Sequence, residues 1–122
     1  MSRKYSVIGS FEFAINGIKD AYKNEPNFKI HSIAAIVALF LAFALSFSAI
    51  ETVILILTIL FVLILELINT TLEKITDLVS PEIQPKAKVA KDVSAAAVFL
   101  GSIGAFIIGL ILYLPKIILL FS

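Results

Sequence analysis

Residues 52–78 read TVILILTILFVLILELINTTLEKITDL, and this stretch decides the fold. Its first part, Thr52 to Leu65, carries no charge but is only fourteen residues long, whereas a helix needs roughly 20 residues to cross a hydrocarbon core. A spanning helix must therefore continue through Glu66 to about Leu72. A carboxylate at membrane depth costs on the order of a few kcal/mol, so Glu66 requires compensation, and a functional pocket is the first hypothesis.

Two longer uncharged runs flank this stretch, from Ile30 to Ile50 and from Val93 to Pro115. Each can cross a bilayer as a helix, and 60% of the 122 residues are hydrophobic, with a mean hydropathy of +1.05. A chain of this length makes one domain at most. The sequence therefore predicts an all-α integral membrane protein, a single domain over 1–122 with transmembrane helices at 29–50, 52–78 and 91–120.

The rare residue types exclude several kinds of chemistry. There is no cysteine and one histidine, His31, which rules out disulfides, thiolate catalysis, cysteine metal sites and the HExxH type of metal site. The first strongly apolar run begins only near Ile30, after a polar stretch of mixed charge, so no cleavable signal peptide is expected. The net charge of +1 says little, and no nucleic-acid partner is expected.

The positive charges are unevenly distributed and predict the orientation. Five precede the first span and four lie between the second and third, whereas the turn over 46–52 has none and Lys116 stands alone at the far end. Because cytoplasmic loops carry an excess of Lys and Arg, the N-terminus and the 74–91 loop are expected on the cytoplasmic side of a bacterial cytoplasmic (inner) membrane. The residues counted are Arg3, Lys4, Lys19, Lys23 and Lys29, then Lys74, Lys86, Lys88 and Lys91.

The segment before the first span is amphipathic. Apolar residues recur there at steps of three and four positions with polar residues between them, which indicates a helix with one apolar face. The apolar positions are Ile8, Phe11, Ile15, Ile18 and Tyr22. The segment is too polar to span, so a helix over 7–23 is expected to lie on the cytoplasmic membrane surface. Pro26 suits the first turn of the helix that follows.

Small residues repeat every four positions in the third span, at Ala97, Gly101, Ala105 and Gly109. This spacing lets helices approach closely within lipid, so the strip predicts tight helix packing. The segment from Gly101 to Gly104 is not interpreted as a phosphate loop, because it lies inside an apolar helix and lacks a Lys-Ser/Thr ending.

The polar residues of the second span fall on one stripe of a helical wheel, at about 100° per residue. They are Glu66, Asn69, Thr70, Glu73 and Asp77. Such a stripe can lock helices together through hydrogen bonds. Two carboxylates seven positions apart repel, however, unless a cation or a proton separates them. The stripe therefore favours either a bound divalent metal or uptake of a proton by Glu66, and a carboxylate that readily takes up a proton can act as a general base.

A further charged cluster stands at the cytoplasmic start of the third span. Lys86 and Lys88 need no explanation beyond ordinary flanking charge. Lys91 and Asp92 place a cation and an acid at the mouth of the span, where they could grip a polyphosphate and its metal.

Three segments together match a known family. The run from Glu66 to Glu73, ELINTTLE, fits its E-[IL]-[IL]-N-[ST]-x-[IL]-E signature, and Ala90-Lys91-Asp92 followed by Ala95 to Val98 fits its A-K-D segment. Upstream, Gly17-Ile18-Lys19, Asn24-Glu25 and Phe28 to His31 complete the pattern. From about Phe11 to Tyr113 the chain resembles the prokaryotic diacylglycerol kinase family. The E-x-N-x-x-I-H pattern at 25–31 is closer to the branch typical of Gram-positive bacteria, which phosphorylates undecaprenol.

The resemblance implies a function and a set of roles. It implies a homotrimer with active sites between protomers, although composition alone fits a dimer equally well. ATP would be the co-substrate, Mg²⁺ the divalent cofactor and a membrane lipid alcohol the acceptor. Glu66 would be the general base and Asn69 would orient the base or the substrate. Glu25 and Glu73 would hold the metal with the ATP phosphates. The implied nucleotide-binding residues are Glu25, Glu73, Glu82, Lys91 and Asp92, and the implied substrate-binding residues are Glu66, Phe13 and Ala95.

Departures from the family pattern bear on the lipid. Lys88 stands where a glycine is often found, and Ala95 stands where a serine is often found. In the diacylglycerol branch these positions shape the nucleotide and lipid surroundings. His31 follows the undecaprenol branch, although an ordinary interfacial histidine is the simpler explanation. Undecaprenol is therefore the expected acceptor, and diacylglycerol, which would give phosphatidic acid, is the alternative.

Two rival classes use the same features. A small proton-coupled exporter also carries an intramembrane Glu, but the carboxylates here cluster at one end of a helix beside a basic loop, whereas an exporter favours a lone acid in mid-membrane. A non-catalytic helical subunit would pack through the small-residue strip. It predicts that the polar stripe tolerates replacement.

Overall fold

The computed structural model describes residues 6–122, so Arg3 and Lys4, counted above for the orientation, lie outside the described residues. Four helices follow one another along the chain. They are α1 (Val7–Asn24), α2 (Pro26–Ala44), α3 (Ala49–Val79) and α4 (Pro85–Leu120). The last three are long and apolar enough to cross a membrane, which confirms an all-helical protein with three candidate spans.

The first two helices meet at a sharp break. Ser6 caps α1, because its side chain accepts a hydrogen bond from the Gly9 N–H at 3.0 Å. Glu25 ends α1 with an N–H that donates to the Ala21 carbonyl, and the same residue precedes α2, whose first turn contains Pro26. Since proline lacks the N–H that a first turn leaves unpaired anyway, this position suits it.

The first spanning helix is shorter than expected. The sequence predicts it over 29–50, but α2 ends at Ala44, and Ser46 adopts a positive φ of 56° that breaks the helix. Ser48 then caps α3: its hydroxyl accepts from the Glu51 N–H, and the Glu51 carboxylate accepts from the Ser48 N–H at 2.7 Å. This capping box starts α3 at Ala49 rather than at residue 52.

The third spanning helix is longer than expected. It begins at Pro85, six residues before the predicted start at Lys91, because Pro85 occupies its first turn. Pro115 lies inside it near the far end. At that end Lys116 pairs with Glu51 at 3.2 Å, so the α2–α3 turn and the end of α4 lie on the same side of the molecule.

The helices pack in chain order, α1 on α2, α2 on α3 and, most extensively, α3 on α4. A small core near the α2–α3 turn contains Ala42, Leu55 and Leu112, and the Tyr113 hydroxyl donates to the Ala38 carbonyl beside it. Most other large apolar side chains of the described residues are exposed. Exposing so much apolar surface to water is unfavourable, so lipid or other chains must cover it.

Within the small-residue strip, α4 approaches α3 closely at Gly101. This residue is buried, and a Cβ there would lie 2.5 Å from Leu65 Cδ1 of α3. Gly104 and Gly109 are different, since a Cβ at either would meet nothing within 4 Å. Within one chain, therefore, the tight packing that the strip predicts is concentrated at a single position.

Candidate active site

The acidic end of α3 begins with a buried carboxylate. Glu66 is 3% exposed, and its Oε1 receives no hydrogen bond from any residue over 6–122. His31 of α2 approaches that atom, with Nε2 3.3 Å away, but without hydrogen-bond geometry. An unsatisfied carboxylate oxygen is expensive to bury. Glu66 is therefore placed to take a hydrogen bond or a proton from a group that the chain itself does not supply.

One turn further along α3, both polar atoms of the Asn69 side-chain amide make hydrogen bonds. The Ser94 hydroxyl of α4 donates to Asn69 Oδ1 at 2.7 Å, and Asn69 Nδ2 donates to Glu73 Oε1 at 3.2 Å. Ser94 is 7% exposed. Because Oδ1 accepts and Nδ2 donates, the two contacts together set which way the amide faces. Two residues of the polar stripe, Asn69 and Glu73, are thus linked by hydrogen bonds to each other and to Ser94 of α4.

Two further glutamates influence Glu66: Glu73 lies on the same helix, and Glu25 lies at the break between α1 and α2. Both are close enough to act electrostatically on Glu66, and Glu25 reaches this position because it lies at the α1–α2 break, where its side chain makes no capping hydrogen bond. Among residues 6–122 neither has a cationic partner. Like charges so arranged repel unless a cation joins them.

A divalent ion on a nucleotide fits this arrangement. Over the described residues no group of three ligating side chains converges on one point. Mg²⁺, however, is usually bound through one or two carboxylates, with phosphate oxygens and waters completing its octahedron. Glu25 and Glu73 are two carboxylates of that kind. The chain therefore supports the metal only in the company of a phosphate-bearing substrate.

The predicted nucleotide residues of the loop share one cleft. Glu82, Lys91 and Asp92 line a cavity of about 230 Å³ between the end of α3 and the start of α4. Lys91 pairs there with Asp77, the last residue of the polar stripe, and Asp92 pairs with Lys88 at 2.6 Å. The structure therefore brings these residues together, with the Lys91 ammonium already engaged by an acid.

The two remaining substrate residues lie on outer surfaces. Phe13 is exposed on α1, and Ala95 is exposed on α4 next to the buried Ser94. Their role in binding lipid stays a prediction.

Sequence reasoning missed one residue and undervalued another. Ser94 is the first polar side chain inside the uncharged run of the third span, and that signal was available. From the sequence, the simpler explanation of His31 is an ordinary interfacial histidine. In the structure it faces Glu66. No spacing rule could find that contact, since it joins two helices.

The fold and the site define a class: a small polytopic membrane protein with a carboxylate cluster at one end of its helices. The chain belongs to the prokaryotic diacylglycerol kinase family, whose model matches residues 12–113. It is 40% identical over 108 residues to the undecaprenol kinase of Bacillus subtilis, covering 88% of both chains. It is 31% identical over 101 residues to the diacylglycerol kinase of Escherichia coli, covering 83% of both.

A diacylglycerol kinase of Synechocystis is also similar, at 39% identity over 114 residues. That match covers 93% of this chain but only 65% of the cyanobacterial protein, so the chain spans about two thirds of that relative's length. The family expected from the E-[IL]-[IL]-N-[ST]-x-[IL]-E signature is confirmed by these matches, and lipid kinases are its named members.

Proposed function

We propose that this protein is an ATP-dependent lipid kinase that transfers the γ-phosphate of ATP to a membrane lipid alcohol. The observation that carries the proposal is the buried Glu66, whose Oε1 lacks a hydrogen-bond donor among residues 6–122. A carboxylate in that state is prepared to accept a proton from an incoming hydroxyl. A general base must lie within hydrogen-bond reach of the proton it removes, so the lipid hydroxyl binds at this atom.

Undecaprenol is the acceptor we propose, with diacylglycerol as the second candidate. Identity alone does not separate them, because the Bacillus undecaprenol kinase and the Synechocystis diacylglycerol kinase are 40% and 39% identical to this chain. The Bacillus protein matches over 88% of both lengths, and His31 lies in the E-x-N-x-x-I-H pattern of that branch. These two points favour the isoprenoid alcohol.

A groove beside the site suits a lipid chain. It has a volume of about 560 Å³ and lies between α1, α2 and α3. Its walls are almost wholly apolar and include Tyr22, Phe28 and Leu67, the neighbour of Glu66. A hydrocarbon chain that enters this groove sideways from the bilayer would lie along α3 at the helical turn that carries Glu66, because Leu67 directly follows Glu66.

The nucleotide would bind where the helices meet the loop. Glu25 and Glu73 would hold Mg²⁺, which neutralises phosphate charge when bound. Lys91 would exchange Asp77 for a phosphate oxygen, and the 80–84 loop would close the cleft around the nucleotide. Phosphoryl transfer depends mainly on positioning and charge neutralisation, and these side chains supply both at one end of the bundle.

The proposed placement in the membrane follows the charges. The N-terminus and the 74–91 loop would lie on the cytoplasmic side of the inner membrane, where ATP is present, and the Glu51–Lys116 pair would lie on the outer side. Helix α1 would rest on the surface with its exposed apolar residues in lipid. A homotrimer would cover the exposed faces of the spans, and its sites would form between protomers.

The test is phosphate transfer from labelled ATP by the purified protein in detergent with Mg²⁺, with undecaprenol and diacylglycerol supplied side by side. We expect transfer to undecaprenol and a loss of about 10²- to 10⁴-fold in kcat for Glu66→Gln, the range typical of a removed general base. Glu51→Gln is the matched control, because it changes the same group at the other end of α3 and glutamine also completes a capping box. No transfer to either lipid by the unmodified protein refutes the kinase, and near-normal turnover by Glu66→Gln refutes the base.

A further inference from the structure

His31 is the basic group that faces the proposed base. Its Nε2 lies 3.3 Å from Glu66 Oε1, and the two side chains differ sharply in exposure, 31% for His31 and 4% for Glu66. The imidazole therefore approaches the buried carboxylate while about a third of its own side chain stays exposed on the single chain. Among residues 6–122, the other ionisable groups that act electrostatically on Glu66 are Glu73 and Glu25, which the proposed function assigns to the metal.

A buried base needs a route by which its proton leaves. After one transfer Glu66 carries the proton of the lipid hydroxyl, and it cannot act again until that proton is lost. Its side chain has almost no direct contact with solvent. Carboxylates that hold a metal are poor proton acceptors, because the cation opposes their protonation. His31 remains, and imidazole is well suited to relay protons near neutral pH.

We propose that His31 is the proton-release residue of this enzyme, an inference that rests on the proposed kinase function. In the transfer step the lipid O–H bond breaks, its proton goes to Glu66 Oε1, and the oxygen bonds to the γ-phosphorus. The bond from that phosphorus to the bridging oxygen breaks, and ADP leaves with the electron pair. In the release step the 3.3 Å contact closes to a hydrogen bond, the proton passes from Glu66 to His31 Nε2, and the partly exposed ring then gives up a proton to water. The charges and protons balance in both steps.

A purely space-filling role for His31 can be tested by changing another residue of the same cavity. His31 lines a cavity of about 150 Å³ with small and apolar side chains, among them Ala34, Ala35 and Val62. Thr58 also lines it, but its hydroxyl donates to the Ile54 carbonyl of its own helix at 2.7 Å. Thr58 therefore shares the cavity without a role in proton transfer, and Thr58→Val is the matched control for changes in packing.

The test separates the first turnover from those that follow. His31→Gln keeps a hydrogen-bonding side chain but cannot relay a proton. With undecaprenol, Mg²⁺ and labelled ATP in a rapid-quench instrument, we expect its first turnover per site to stay within about twofold of the unmodified protein. Its steady-state kcat should fall by about tenfold or more, as for a lost proton-transfer group. Imidazole added to His31→Ala should restore kcat with increasing concentration, and Thr58→Val should behave like the unmodified protein.

The outcomes are distinct. A first turnover slowed as much as kcat in His31→Gln makes His31 a positioning residue and overturns the relay, as does a kcat that imidazole leaves unchanged. A kcat within twofold of the unmodified protein in both His31 variants also overturns it, while the kinase function stands. If the unmodified protein transfers no phosphate to either lipid, the kinase function fails, and the relay fails with it.

Discussion

The contact between Ser94 and Asn69 gives the sharpest prediction about the site. Ser94→Ala removes the hydroxyl that donates to Asn69 Oδ1 at 2.7 Å, in a place where Ser94 is 7% exposed. A hydrogen-bonding atom that loses its partner in a buried place costs about 1–3 kcal/mol. With this contact gone, only the 3.2 Å hydrogen bond from Nδ2 to Glu73 still orients the Asn69 amide. If the whole cost falls on the transition state, kcat/KM falls by about 5- to 150-fold.

The assay is lipid phosphorylation at varied Mg²⁺-ATP and fixed undecaprenol. Because Ser94 acts through Asn69 on Glu73, a proposed metal ligand, KM for Mg²⁺-ATP should rise more than KM for the lipid. Ser94→Thr keeps a hydroxyl and should recover most of the activity. Ser102→Ala, a serine two turns further along α4, is the matched control and should leave kcat/KM unchanged. A folded Ser94→Ala protein with kcat/KM within twofold of the unmodified protein would refute the argument.

Three further predictions test the metal and the packing. Glu73→Gln should raise the Mg²⁺ concentration for half-maximal activity by about tenfold or more, and an unchanged Mg²⁺ titration contradicts the ligand assignment. Gly101→Leu should lower stability in detergent by about 1–3 kcal/mol, because even a Cβ would lie 2.5 Å from Leu65 Cδ1. Gly104→Leu is its control, because a Cβ at that position meets nothing within 4 Å, and equal thermal midpoints would count against the packing. Tyr113→Phe removes a hydroxyl that donates to a carbonyl of α2 and should cost about 0.6–1.5 kcal/mol, measured by thermal unfolding.

The carboxylates of the site divide into two groups according to their partners. Asp20, Asp77 and Asp92 each pair with a lysine. Glu25 and Glu73 have no cationic partner among residues 6–122, and they approach Glu66 from the α1–α2 break and from α3. A structural salt-bridge network would neutralise its acids internally. Glu25 and Glu73 lack such lysine partners among residues 6–122, which supports the proposal that they bind the metal of a nucleotide.

Much of the fold was determined by local physics that a sequence displays directly. The uncharged run before Glu66 is too short to span, so the helix had to carry that carboxylate into the membrane, and α3 continues through it to Val79. The helical period alone places Glu66, Asn69 and Glu73 on one face. The ends of helices were less predictable: α2 ends at Ala44, because the Ser48–Glu51 capping box and the positive φ at Ser46 compete with an apolar run that could have continued.

The sequence by itself determined the class of protein, the number of spans, the polar face of α3 and, through its motif, the family. Only the tertiary structure decided which groups on other helices meet that face: His31 from α2 against Glu66, and Ser94 from α4 against Asn69. The physical reason is that periodicity fixes which residues of one helix share a face. The rotation and depth of a neighbouring helix depend instead on packing, here on the close approach of α4 to Leu65 at Gly101, and no residue spacing records that.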